Sequence, residues 1–309
     1  SVTPEQIIAR ADWELSKYTY LSDSCPILSM MQFGPGVLAA FIGCTLDNST
    51  GRVWFHPSKD WTIKDLHFEF DAAAPWFNRI KDICAAGVRR WKGNVLIAMT
   101  DLGGNLDVLS SFLPSEKLLF ALVEEPDEVE RLVGEAHVVW HQYFEAINEV
   151  LQPVNPGYTN WANVYCEQPT YRLQCDASYM ISPKMFMRFG LPELIDSCKR
   201  LSRSFYHLDG IGQLPHLDYL LAAQELDGIQ WIPGDGKPVC SEWLDIHERI
   251  HRAGKKNQIL GSNLDGLRKV VNHLGDGKGI VLGYQHFKPD QKQTALDAIK
   301  EFGGDVLAL

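Results

Sequence analysis

The chain has 309 residues, with 29 Lys+Arg against 39 Asp+Glu and a formal net charge of −10, an acidic balance that argues against a nucleic-acid binder, which carries a basic stripe. A composition of 45% hydrophobic and 22% charged residues is that of an ordinary globular protein, one large domain or two small ones. No run approaches the roughly 18 apolar residues of a membrane span, and the opening Ser1-Val-Thr-Pro-Glu lacks a signal-peptide pattern.

Pro26–Gln32 reads as a first strand, closed by the turn Gly34-Pro35-Gly36. Residues 45–92 read as an insertion carrying four of the nine tryptophans (Trp54, Trp61, Trp76, Trp91), with His67-Phe-Glu-Phe-Asp71 alternating like an exposed strand or hairpin. The insertion is expected to be an aromatic mini-core or a lid. Asn94–Asp101 has the pattern of a buried strand, and Pro126–Leu151 is strongly helical, its apolar residues recurring at steps of three and four. Thr159–Tyr165 and Arg172–Ser178 read as strands too close together for a crossover helix, hence a hairpin. A helix from Ser182-Pro183 to about Leu201 follows. Strands at Arg203–Asp209, Gly228–Ile232, Gln258–Ser262 and Gly279–Tyr284 then alternate with helices at His216–Glu225, Cys240–Ala253, Leu264–Leu274 and Gln291–Phe302.

Repeats about 22 to 32 residues apart are βα units and imply a parallel sheet. The expected fold is therefore α/β, an eight-stranded (β/α)8 TIM-type barrel forming a single domain over 1–309. No strand is followed by Gly-x-Gly-x-x-Gly or a Walker lysine loop, which weakens a doubly wound sheet. The seven cysteines (25, 44, 84, 166, 175, 198, 240) are scattered, with no Cys-x-x-Cys pair. They suit small buried hydrophobes in a reduced compartment, with the cytoplasm as the expected location.

In such a barrel the chemistry belongs at the C-terminal ends of the strands. Those ends hold Gln32, Asp101, Tyr165 with Glu167, Asp176, His207 with Asp209, Gln230 with Trp231, Ser262 and Asn263, then Tyr284, Gln285 and His286. His207 and Asp209, at i and i+2 of one strand, share a face and suit a metal pair or a base with its orienting carboxylate. Adding His286 gives a set acceptable to zinc, iron or manganese. Asp101 and Asp176 are candidates for holding substrate or taking a proton, with turn formation as the competing role. Gln32, Tyr165, Trp231, Tyr284 and Gln285 are candidate substrate contacts.

The run from Gln174-Cys-Asp176 through Ser182-Pro183-Lys-Met-Phe186 to Leu191-Pro192 resembles the uroporphyrinogen decarboxylase superfamily. Tyr206-His-Leu-Asp-Gly210 occupies the place of that superfamily's His-x-Cys-Gly, and Asp101-Leu-Gly-Gly and Gly279–Gly283 also match, so the likeness spans about residues 90–302. It implies a βα barrel and two chemistries. The haem-pathway decarboxylase branch uses an Arg-Gln-Ala-Gly-Arg motif that is missing here. The corrinoid-linked methyltransferase branch binds zinc through His-x-Cys and a distant Cys. Here His207 matches the first ligand, Asp209 replaces the second, and Tyr284, Gln285 and His286 lie near the third.

The expected function is metal-dependent methyl transfer between a small methylated substrate and a corrinoid carried on a separate protein, since no Asp-x-His-x-x-Gly corrinoid loop is present. The metal would be zinc or another divalent ion. The alternatives are a metal-independent decarboxylase, in which Asp176 or His207 protonates the carbon as CO2 leaves, and a ligand-binding barrel without turnover. The superfamily often dimerises, and the net charge leaves a homodimer open.

Overall fold

The structure, a computed structural model, describes residues 2–302 apart from residue 284. Helix α1 (Pro4–Leu15) starts at a capping box, the Thr3 hydroxyl accepting from the Gln6 amide while the Gln6 side chain accepts from Thr3 N–H. Strand β1 (Ile27–Leu28) leads through a 3-10 turn at Met31–Phe33 into the short helix α2 (Leu38–Phe41). The antiparallel hairpin β2 (Thr45–Asp47) and β3 (Trp54–His56) follows, then helix α3 (Pro75–Trp91). Strand β4 (Leu96–Ile97) pairs parallel with β1. Helices α4 (Asn105–Phe112), α5 (Ser115–Glu124) and α6 (Pro126–Leu151) complete this half.

The second half alternates. It runs β5 (Thr170–Gln174), α7 (Pro183–Phe189), α8 (Leu191–Arg200), β6 (Arg203–Asp209), α9 (Leu217–Ala222), β7 (Gly228–Ile232), α10 (Leu244–Arg252), β8 (Lys256–Ile259), α11 (Leu264–Leu274), β9 (Ile280–Leu282) and α12 (Lys292–Glu301). Strands β5 to β9 form one parallel sheet in sequence order. The molecule is thus a mixed α/β fold built on a five-stranded parallel sheet and a two-stranded parallel pair. Among the described residues no strand pairing joins the two, although Met99 N–H beyond β4 donates to Thr159 O at 2.9 Å. No described helix is long and apolar enough to cross a membrane.

Three expectations need correction. Thr159–Tyr165 is a loop closed by a single antiparallel bridge between Tyr158 and Cys166. Asn163 there has φ 55°, a left-handed conformation suited to turns and not strands. His67–Asp71 is not a strand either: Phe68 N–H donates to Glu135 of α6 and Asp71 N–H to the Tyr143 hydroxyl, so that segment spends its polar groups on α6. The helix expected over 182–201 divides at Gly190 into α7 and α8.

Helix α3 fills most of the remaining insertion and packs on α1 and α6. Phe77 of α3 and Phe70 of the preceding segment join a cluster with α6, their rings 4.8 and 4.6 Å from Tyr143. Each large side chain buried this way contributes roughly 1.5–3 kcal/mol.

Strand alternation sorts the side chains that matter. Tyr171, Tyr206 and Trp231 face helices, meeting Trp140, Phe186 and Trp243 respectively. Arg172, Gln174, Phe205, His207, Gln230 and Gln258 therefore share the opposite face of the sheet.

Candidate functional site

Strand β6 ends in His207-Leu208-Asp209, with Asp209 beside the turn at Gly210. Strand β5 ends one residue before Cys175, and Asp176 then opens a 3-10 turn, Asp176–Met180. These two neighbouring ends bring Asp176, His207 and Asp209 together, with one ligand atom of each inside a mutual distance of 4.8 Å. His207 Nε2 lies 3.7 Å from Asp209 Oδ2, and the imidazole is 15% exposed against 40% for the carboxylate. Asp176 is exposed. The cluster therefore opens to solvent at the strand ends.

Register explains how His207 is held. Gln174, His207, Gln230 and Gln258 are aligned across four successive strands. A buried parallel sheet is normally filled at such positions by Val, Ile or Leu. Here His207 Nδ1–H donates to Gln230 Oε1 at 2.5 Å, and Gln230 Nε2 donates to Gln258 Oε1 at 2.8 Å. The Gln230 amide can point its oxygen at His207 because its nitrogen is committed to Gln258. The chain of amides fixes the proton on Nδ1 and leaves the Nε2 lone pair facing the carboxylates, the arrangement of a ligating histidine. Trp161 adds a wall, its ring perpendicular to His207 at 5.0 Å.

The electrostatics are those of crowded acids around one base. Burial pushes Asp101 up to about 6, against the opposing hydrogen bonds of Gly103 and Gly36 N–H and the charge of His207. Burial also raises Asp176, joined by the like charges of Asp209 and Asp101 and opposed by His207. Because Asp176 touches solvent, water moderates that rise. For His207 burial disfavours the imidazolium, but the Asp209 carboxylate 3.7 Å away, the Asp176 charge and the Gln230 hydrogen bond outweigh it, and its pKa is raised. Asp101, Asp176 and His207 thus respond to one cluster of charges, to which Asp209 contributes.

Beneath them sits Asp107, in the first turn of α4, which accepts from Asp176 N–H at 2.9 Å and Ala177 N–H at 2.7 Å. Burial pushes it up to about 7, and the Asp176 charge adds to that. Two glycines bring these parts into contact. A Cβ on Gly104 would lie 2.1 Å from Gln174 O, and one on Gly103 would lie 2.6 Å from Gly36 Cα. The Asp101-Leu-Gly-Gly run therefore lays backbone against the end of β5 and against the turn after β1.

The other candidates are dispersed. His286 is exposed, its ring 6.0 Å from that of Tyr18, and among the described residues Asp176 takes the third place beside His207 and Asp209. His286 lies four residues past the short edge strand β9, so strand geometry no longer aims it at the mouth. Trp231 is fully buried, its ring 5.4 Å from Trp243 on the helix side, because it is in register with Leu208 and not with His207. Tyr165 donates its hydroxyl to Pro156 O at 3.2 Å, Gln285 donates to Ser262 O at 3.0 Å, and Gln32 is exposed. Tyr284 lies outside the described residues. Cys175 and Cys240 are buried, and burial raises both thiols.

No protein-family model matches the chain, and none of the curated proteins compared with it matches either. Among solved structures the chain is similar to a methyltransferase from Methanosarcina mazei, with TM-score 0.62 and 15% identity over 97% of this chain and 86% of that one. At that identity the likeness is one of fold.

Proposed function

We propose that this chain is a metal-dependent enzyme of methyl transfer, moving a methyl group between a small methylated substrate and a corrinoid held on a separate carrier protein. The observation that carries the reading is the Asp176–His207–Asp209 cluster at adjacent strand ends, with His207 held through Nδ1 by the buried Gln230–Gln258 pair. The fold likeness to a methyltransferase supports it. In this reading β1, β4, the segment at Thr159 and β5–β9 are the eight staves of one barrel.

One imidazole and two carboxylates form an N/O donor set that suits zinc, iron or manganese, and Asp176, His207 and Asp209 would hold the ion. A divalent ion there supplies Lewis-acid polarisation of the heteroatom bearing the methyl group. The chain's own residues do the rest. Asp101, with a pKa of about 6, holds or returns the proton of the heteroatom that gains or loses the methyl group. Trp161 and the Asp101-Leu-Gly-Gly loop fix the walls against which the substrate is oriented.

Metal content of untagged protein, by mass spectrometry, tests the reading alongside methyl transfer from free methylcobalamin. The expected result is one equivalent at this cluster, lost in His207→Ala and Asp209→Asn, with transfer lost in parallel. No metal after reconstitution with zinc, iron and manganese would overturn it. The second reading, a metal-independent decarboxylase, is favoured by the raised Asp101 and Asp176, which can carry a proton to a carbanion-like carbon. It requires activity on a carboxylic-acid substrate that survives chelation.

A further inference from the structure

Helix α6 carries His137 and His141 one turn apart, so both imidazoles project from one face. Their rings are 4.7 Å apart and nearly perpendicular, at 80°. Asp196 of α8 meets them there, its Oδ2 2.7 Å from His137 Nε2. One nitrogen of each ring and one oxygen of Asp196 fall within a mutual distance of 4.8 Å. Donors around a zinc ion at 2.0–2.1 Å lie about 3.3 Å apart. Side-chain movements of about an ångström therefore close the set. The histidines are buried, while the Asp196 side chain is 46% exposed, which leaves a water-facing position for a fourth ligand.

The surroundings are those of ligands held from behind. His141 Nε2 meets Ser197 Oγ at 3.1 Å, and His137 Nδ1 meets Asn105 Nδ2 at 3.3 Å. The Asn105 Oδ1 is buried with no hydrogen-bond partner. Asn105 Nδ2 also donates to the Glu193 carboxyl, which burial raises well above its ordinary value. With Glu193 protonated the amide can turn about, Oδ1 then accepting from Glu193 and from His137 Nδ1–H, which frees His137 Nε2 as a donor to a cation. Arg200, one turn along α8, lies 2.8 Å from Asp196 Oδ2 with its side chain 49% exposed. It balances the carboxylate when no cation is bound and is able to turn out to solvent.

We propose that His137, His141 and Asp196 form a second divalent-cation site of zinc type, which pins α6 to α8. No residue of the strand-end cluster takes part in it, so it stands independently of the methyl-transfer reading. The test uses untagged full-length protein in which the first cluster is disabled by His207→Ala with Asp209→Asn. Dialysed against micromolar zinc, this chain is expected to retain one equivalent, and a hundredfold excess over Kd raises its Tm by about 5 °C. Adding His141→Gln or Asp196→Asn should weaken binding at least tenfold and abolish the Tm shift, while circular dichroism without zinc remains that of the folded chain. In a chain carrying Asp196→Asn alone, zinc stoichiometry falls by one equivalent relative to wild type. Absence of retained zinc, or retention and Tm shift unchanged by Asp196→Asn and His141→Gln, would overturn the proposal.

Discussion

Replacing Gln230 with Leu tests whether the amide chain controls His207. Gln230 is fully buried, accepting from His207 Nδ1–H at 2.5 Å and donating to Gln258 Oε1 at 2.8 Å. Leucine removes both bonds, about 1 kcal/mol each, and strands the His207 N–H and the Gln258 amide away from water, at about 1–3 kcal/mol per group. Apolar packing of the new side chain offsets part of this, leaving a loss of about 2–4 kcal/mol, or a Tm drop of roughly 3–6 °C. Loss of the hydrogen bond behind a ligating histidine lowers metal affinity about 10–100-fold. Gln230→Glu separates the two effects. Its carboxylate still accepts from Nδ1, and the Gln258 Nε2, which has no partner, can turn to donate to it. Competition titration against a chelator should therefore give a large affinity loss for the Leu variant and less than about threefold for the Glu variant. Equal affinities for Gln230→Leu and wild type would refute the reasoning, as would equal losses in both variants.

Asp107 supplies a pH test. Its folded pKa of about 7 lies above the ordinary 3.8, so across that interval the folded chain holds a proton that the unfolded chain releases, and stability falls as pH rises. Asp107→Asn should flatten that decline in urea unfolding between pH 4.5 and 7, and parallel slopes for variant and wild type would contradict it. Arg172 is fully buried, its three guanidinium nitrogens without a hydrogen-bond partner among the described residues, 4.4 Å over the Phe205 ring, and burial lowers it to about 9. Arg172→Met should leave thermal stability equal or higher, because an unpaired buried charge is replaced by an apolar chain. A Tm drop above about 5 °C would mean that the guanidinium has an anionic partner in solution. Gly104→Ala places a methyl 2.1 Å from Gln174 O and should cost at least about 1–3 kcal/mol, with weakened metal binding because the end of β5 moves. Wild-type affinity in a folded Gly104→Ala chain would refute that link.

Long periodic segments were the legible part of the fold. The helix expected at Pro126–Leu151 is present over those residues, and Arg203–Asp209 and Gly228–Ile232 are strands with the expected ends. Helix α3 was obscured because its aromatic-rich approach resembles a separate mini-core, and Thr159–Tyr165 resembled a strand because turn asparagines sit among apolar residues. In the site, the i, i+2 spacing was enough to pair His207 with Asp209. It was not enough to choose the third partner, since Asp176 and His286 both follow strand ends and only the lengths and positions of β5 and β9 separate them. Gln230 was legible as a polar strand-end residue in an otherwise apolar strand, whereas Gln258 follows Lys256 and Asn257 in β8 and did not stand out. Asp107 and Trp161 carried none, because both reach the site from outside the sheet.

The close approach of Gly103 to Gly36 has a consequence for how this protein can change its substrate. On that side of the mouth backbone faces backbone, so no side chain exists there to shorten, and a larger one collides. The turns after β5 and β6 are built differently. Tyr179, Met180 and Ile211 follow β5 and β6 as large exposed side chains, and the Tyr179 ring occupies the space over Gly210 and Gly212. Truncating them widens the opening without touching the residues that hold His207. In the proposed reading, selection for a bulkier or smaller substrate acts on the side chains of these two turns, with the Gly36–Gly103 contact as a fixed datum.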